Sequence, residues 1–222
     1  RKNNVPLFAL ESGDYIKDFD MIGFTLMYEL SYTNVLNMLN LAKIPLKSSE
    51  RESLTPLICV GGPCACNPEP ITDFVDIVFL GDGEESTNEV IDLLKYAKEN
   101  NLTKHEFLLK AKDIRGVYVP SFYKDSYYDD GTLKELKPLF GAPEKVKKAV
   151  VSDMNSVYYP KEFVVPYINI VHDRAVEEIF RGCIRGCRFC QAGFIYRPIR
   201  EKSVETINKQ SKALIDSTGY DE

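Results

Sequence analysis

The sequence predicts an α/β protein: a sheet of buried parallel strands, then a β-hairpin and an extended connector, then a single closing strand and helix. Three observations carry that prediction. Short, nearly continuous apolar runs alternate with helical patterns through the first half, as expected of strands covered on both faces by crossover segments. Between residues 116 and 140, two strand-like runs flank Asp129-Asp130-Gly131, a hairpin turn signal. The chain then closes on AVEEIF, a cysteine-rich loop and a helical stretch.

Taken in order, VPLFALE (5–11), FDMIGFTL (19–26), PLICVGG (56–62) and DIVFLGDG (76–83) read as strands ending in glycine or a polar turn. Residues 28–44 place Leu30, Val35, Leu36, Leu39 and Ile44 near helical spacing, and 84–101 and 103–114 are two further helices. This βαβα order implies a parallel sheet with right-handed crossovers. The stretch 141–174, rich in proline, tyrosine and valine, is an extended connector, AVEEIF (175–180) a last strand, and SVETINKQSKALID (203–216) a last helix. Ser203 with Thr206 supplies part of a capping box, and Glu205 suits the helix dipole. A lone strand–helix unit cannot bury its own faces, and the terminal STGYDE resembles the approach to another strand. The sequence is therefore expected to be a piece of a longer α/β protein.

Composition narrows the classes. With 222 residues and 44% apolar content, the chain can build one full core and part of a second. Six cysteines in that length are too sparse for a disulfide scaffold, and no basic-then-apolar leader is visible, which favours a reducing, cytoplasmic setting. No apolar run approaches the ~18 residues of a membrane helix. The net charge of -5 is mild and the basic residues are dispersed except around the cysteines, so neither nucleic acid nor a membrane surface is indicated as a partner.

The chemistry concentrates in RGCIRGCRFCQAG (181–193). Cys183, Cys187 and Cys190 form CxxxCxxC, and three chemistries compete for them. A disulfide would leave one thiol over in a compartment that opposes oxidation. Structural zinc would need a fourth ligand, and the available one is His172, across a strand. An iron–sulfur cluster one ligand short explains the spacing, because closely spaced thiolates wrap three corners of a [4Fe-4S] cubane and leave one iron open. Buried inert cysteines fit poorly with a loop carrying Arg181, Arg185 and Arg188, which can offset thiolate and cluster charge. Gly182 and Gly186 let the backbone curl closely.

This CxxxCxFC pattern after a strand, with Phe189 before the last cysteine, resembles the signature of the radical S-adenosylmethionine (SAM) superfamily. The resemblance implies a [4Fe-4S] cluster on Cys183, Cys187 and Cys190, SAM held at the open iron with Phe189 beside it, and reductive cleavage to a 5'-deoxyadenosyl radical acting on a substrate it does not identify. It also implies an electron donor such as flavodoxin or ferredoxin, and a (β/α)6 barrel of which residues 175–222 are the first strand and helix, so that this stretch alone is expected to be inactive. A methylthiotransferase-like radical SAM protein and a non-enzymatic module with a Cys3His zinc site are the alternatives.

GGPCACNPEP (61–70) and VFLGDGEEST (78–87) resemble the glycine loops of the cobalamin-binding-type, Rossmann-like domain that precedes the barrel in many such proteins. Together with the long stretch 8–46, they are similar to an uncharacterised bacterial family described as Fe-S oxidoreductases. The implied organisation is a Rossmann-like domain over 1–115, with room for one strand ahead of it, a hairpin and connector over 116–174, and the barrel opening over 175–222. Gly61, Gly62, Gly81 and Gly83 are the candidate cofactor contacts, and cobalamin stays open. There is no Asp-x-His-x-x-Gly, the only histidines are His105 and His172, and Ser86 stands where a dinucleotide fingerprint needs a third glycine, with Glu84 and Glu85 opposing a pyrophosphate. Equally, these glycines make tight strand-to-helix turns. Cys59 reads as core and Cys64 and Cys66 as loop cysteines, unlike the spread triad that holds an auxiliary cluster in methylthiotransferases. His172, with Asp173 and Arg174, is expected in a hydrogen-bonded structural role.

Overall fold

A computed structural model describes residues 5–168, 170–172 and 174–220. The chain divides into two compact units, Arg1–Val150 and Val151–Glu222.

The first unit is built on a four-stranded mixed sheet in sequence order: β1 (Met21–Thr25), β2 (Leu57–Gly61), β3 (Ile77–Phe79) and β4 (Val117–Tyr118). β1 and β2 pair in parallel with Met21 opposite Leu57, and β2 and β3 pair in parallel with Cys59 opposite Ile77. Alternation along β2 sorts the core. Leu57 and Cys59 face α2 (Ser86–Glu99) and α3 (Lys104–Ala111), packing with Ile77, Phe79, Val90, Leu94 and Phe107. Ile58 and Val60 face the other way, against Val35 and Leu39 of α1 (Tyr32–Leu41) and against Ile71 and Val75. The continuous apolar run of β2 thus reflects burial on both faces. α2 offers Val90, Leu94 and Ala97 as one stripe. α3 starts on a full capping box, Thr103 accepting the Glu106 N–H while Glu106 accepts from the Thr103 N–H.

Two expectations are corrected here. Residues 5–11 make no strand: after a single bridge between Phe8 and Tyr15, the chain turns back through Ala9 and Asp14. The Ser12-Gly13-Asp14 turn leaves no length for a ladder. The sheet is also not purely parallel, because β4 runs antiparallel to β3, with Val78 opposite Tyr118. The hairpin at 116–140 is present but shorter at its start: β5 (Tyr123–Tyr127) pairs with β6 (Leu133–Pro138) around a turn in which the Asp130 carboxylate accepts from the Thr132 N–H and hydroxyl.

The edges of the first unit meet at Asp76, whose side chain is fully buried. Its carboxylate accepts from Lys104 Nζ at 2.7 Å, Arg51 Nη2 at 3.1 Å, the Ile58 N–H at 2.8 Å and the Ser48 hydroxyl. Arg51 is buried too, and donates further to the carbonyls of Pro45, Leu46 and Phe74. One carboxylate therefore ties the 45–51 loop, the starts of β2 and β3, and the first turn of α3.

In the second unit, the described residues of 151–174 are largely without regular structure. AVEEIF contributes only its last residue to a strand: β7 (Phe180–Arg181) pairs antiparallel with β8 (Arg200–Glu201). α4 (Ala192–Ile195) lies between them and α5 (Val204–Thr218) follows. Ser203 caps α5 by accepting the Thr206 N–H at 3.2 Å, and Gly219 ends it in the left-handed region.

Two outcomes test this unit-by-unit account. Removing one member of a buried charge network leaves the others uncompensated, so Asp76→Ala should cost about 3–5 kcal/mol. Asp20→Ala, which breaks the exposed Lys98–Asp20 pair, should cost at most ~1 kcal/mol. Urea midpoints read both, and comparable shifts would remove Asp76 from its central place. The second concerns alkali. The buried Tyr118 phenol is pushed up by burial and then by Glu69, to which it donates at 3.0 Å. A raised folded value stabilises below the ordinary phenol range and loses that stabilisation as pH rises through it, so the thermal midpoint should fall above pH ~10. Tyr118→Phe should flatten that fall; an unchanged slope would count against it.

Candidate metal centre

The three clustered cysteines sit on the loop between β7 and α4. Its base is tight: a Cβ on Gly182, where φ is +106°, would stand 2.8 Å from the Ile199 Cα and the Pro198 carbonyl. The arm leading into the loop and the arm leaving it thus pass backbone to backbone, which only glycine allows. Further along, the Cys190 N–H donates to the Cys187 carbonyl at 3.1 Å, closing a turn, and Gly193 is buried against the Cys183 carbonyl. All three thiols are free; Cys183 and Cys190 are half-buried and Cys187 is exposed. Among the described residues, no three His, Cys, Asp or Glu side chains are drawn close enough together to hold an ion as they stand. The donor set itself fits a sulfur-ligated group, with three thiols on one loop and no disulfide to compete for them.

Other expected contributors are placed as follows. Phe189 is almost fully exposed. Arg185 and Arg188 are exposed beside Cys187. Arg181 is held bidentately by Glu178 at 2.7 and 3.0 Å. His172 is exposed, and its neighbour Asp173 lies outside the described residues.

Sequence reasoning missed the frame behind the loop. Lys202, its side chain entirely buried, donates to Glu177 Oε1 at 2.9 Å and to Gln210 Oε1 at 2.7 Å, over the face of Tyr159. The Tyr159 phenol donates to the Val176 carbonyl at 2.7 Å and is pushed up by burial and then by Glu177. The one available signal was a pair of acidic residues before the loop and a basic one after it.

The glycine loops of the first unit use their freedom on the chain itself. A Cβ on Gly62 would meet the Leu26 carbonyl at 2.9 Å, and one on Gly81 would overlap the Ala149 carbonyl. Gly61 ends β2, and Gly83 lies against the Thr87 hydroxyl at the start of α2. The four strands follow one another without reversal, whereas nucleotide crevices in open α/β sheets form where strand order reverses. Cys59 packs in the core on the α2–α3 side, its thiol pushed well up by burial and then by Asp76. Cys64 packs on the opposite face of the sheet, so these two cannot share one cluster.

Residues 1–120, more than half of the chain, match the family described as radical SAM proteins, N-terminal. The chain belongs to that family. It is also similar to an uncharacterised protein of Methanocaldococcus jannaschii, 30% identical over 208 residues, which is 93% of this chain and 38% of the relative. The chain thus spans well under half the relative's length, and the similarity runs on through the cysteine loop.

The glycine geometry yields a test. Gly81→Ala, which places a Cβ inside the Ala149 backbone at positive φ, should destabilise by more than ~1 kcal/mol. Gly83→Ala, at ordinary φ with only a hydroxyl nearby, should cost less. Thermal melts compare them, and equal losses would show that the Gly81–Ala149 approach is not tight.

Proposed function

We propose that Cys183, Cys187 and Cys190 hold a [4Fe-4S] cluster whose open iron takes S-adenosylmethionine, and that the full-length protein is a radical SAM enzyme. The reading is carried by one observation: a chain of the radical SAM N-terminal family presents three free thiols on a single loop. When bound, the cluster supplies the electron that cleaves the sulfonium of SAM reductively. The chain's own residues do the holding. Gly182 and the β7–β8 pair fix the base of the loop, the Cys187–Cys190 turn orients the last two thiols, and exposed Phe189 offers an aromatic face to the bound nucleoside. Arg185 and Arg188 place positive charge at the exposed rim, which suits an acidic one-electron donor of the flavodoxin or ferredoxin type. In this reading residues 175–222 are the opening of the barrel, a reducing cytoplasm is the setting that suits such thiols, and cobalamin has no assigned part. Among the described residues, no helix is long and apolar enough to cross a membrane.

Anaerobic reconstitution of the full-length protein tests this. Wild type should carry about four irons and turn brown, and should form 5'-deoxyadenosine from SAM on reduction. Alanine at Cys183, Cys187 or Cys190 should abolish both, and Cys59→Ala should leave both intact. Tight colourless zinc, or iron that survives all three loop substitutions, would reject the proposal. The 222-residue stretch alone should bind little iron and form no 5'-deoxyadenosine.

A further inference from the structure

The arms of the cysteine loop are joined by a ladder of only two residue pairs, Phe180 with Glu201 and Arg181 with Arg200. A ladder this short neither persists in water by itself nor defines its own register. Directly behind it lies the buried set around Lys202. The ammonium meets Glu177, three residues before β7, and Gln210 of α5, and its Nζ lies 4.3 Å from the centroid of the Tyr159 ring. The Lys202 N–H also donates to the Ile179 carbonyl at 3.0 Å, extending the ladder by one bond.

A fully buried ammonium is costly unless each of its donors is answered. Here a carboxylate, an amide oxygen and a ring face answer them. Apolar packing of the same volume would serve stability at least as well, so the use of charge points to specificity of pairing. A slip of one residue between the arms would withdraw Glu177 from Lys202. It would also bring a residue with a Cβ to the place where Gly182 passes Ile199.

We infer that Glu177 and Lys202 are positioning residues that lock the register of the two arms and so hold Cys183, one residue beyond Gly182, where it can ligate together with Cys187 and Cys190. The inference rests on the iron–sulfur reading of those cysteines. It assigns to Glu177 and Lys202 a role in the order of the metal site, which mere contribution to folding would not require.

The experiment uses the full-length protein, reconstituted anaerobically, with Lys202→Met, Lys202→Arg, Glu177→Gln and the apolar pair Glu177→Leu with Lys202→Met. Three quantities are read: the rate of iron loss to a chelator, the electron paramagnetic resonance spectrum of the reduced cluster, and the thermal midpoint. Lys202→Met and Glu177→Gln should each lose iron about 10-fold faster or more and give a broadened or mixed spectrum. Lys202→Arg should restore both towards wild type. The apolar pair should recover the thermal midpoint without recovering the spectrum. A lowered midpoint with unchanged iron retention and spectrum in Glu177→Gln would overturn the inference, as would full recovery of the spectrum by the apolar pair. Cys183→Ala separates the two layers: if it keeps iron, the iron–sulfur reading falls; if it loses iron while Lys202→Met and Glu177→Gln behave as wild type, only the positioning role falls.

Discussion

The first unit depends on one buried carboxylate. Asp76 stands where β3 begins, and the groups that neutralise it come from far along the chain: Ser48 and Arg51 before β2, the Ile58 N–H within it, and Lys104 at the start of α3. Lys104 is the telling member. A cation at a helix N-terminus opposes the helix dipole, and it is tolerated here because Asp76 is 2.7 Å away and the Arg51 carbonyl 2.9 Å. The position of α3, and with it the cover over Leu57, Cys59 and Ile77, is thereby tied to the position of the 45–51 loop. Cys59 feels the same site. Burial and the Asp76 charge both hold its thiol protonated, which makes it a packing residue and not a ligand.

The two units solve opposite problems. In the first, helices and short turns cover both faces of a sheet, and the polar hub sits among apolar layers. In the second, the three loop thiols are half-buried or exposed, with little apolar core beside them. Buried apolar residues there are few, chiefly Val151, Met154 and Leu214, while Ile184, Phe189 and Phe194 stay exposed around the loop. Order is supplied instead by charge pairs at the loop's base, Glu178 with Arg181 and Glu177 with Lys202.

Much of the first unit was legible because its signals are periodic and local. The buried run of β2, the Val90–Leu94–Ala97 stripe and the Thr103–Glu106 cap each declare an element within a few residues. What escaped has no local period. β4 is two residues long and pairs antiparallel, and the apolar run at 5–11 looks like a strand until the turn at 12–14 cuts it short. AVEEIF reads as a strand, yet Glu177 and Glu178 are engaged by Lys202 and Arg181, and only Phe180 reaches a ladder. At the candidate centre the cysteine spacing was plain in the sequence. Its frame was not, since Glu177 and Lys202 meet across 25 positions and nothing in either neighbourhood names the other.

If the three separated thiols form a ligand set, as proposed, that frame bears on how they do so. Metal binding to a loop that is not already gathered must supply the ordering free energy from the metal–sulfur bonds themselves. The cost grows with the length of chain to be fixed. With Gly182 pressed against Ile199 and the arms locked by β7, β8 and the buried pair, the part left to order is the short stretch from Cys183 to Cys190, in which the Cys187–Cys190 turn is already formed. In the proposed reading Cys187, the exposed thiol, is the one an incoming cluster reaches first, and the paired base keeps the entropic cost of closing around it small.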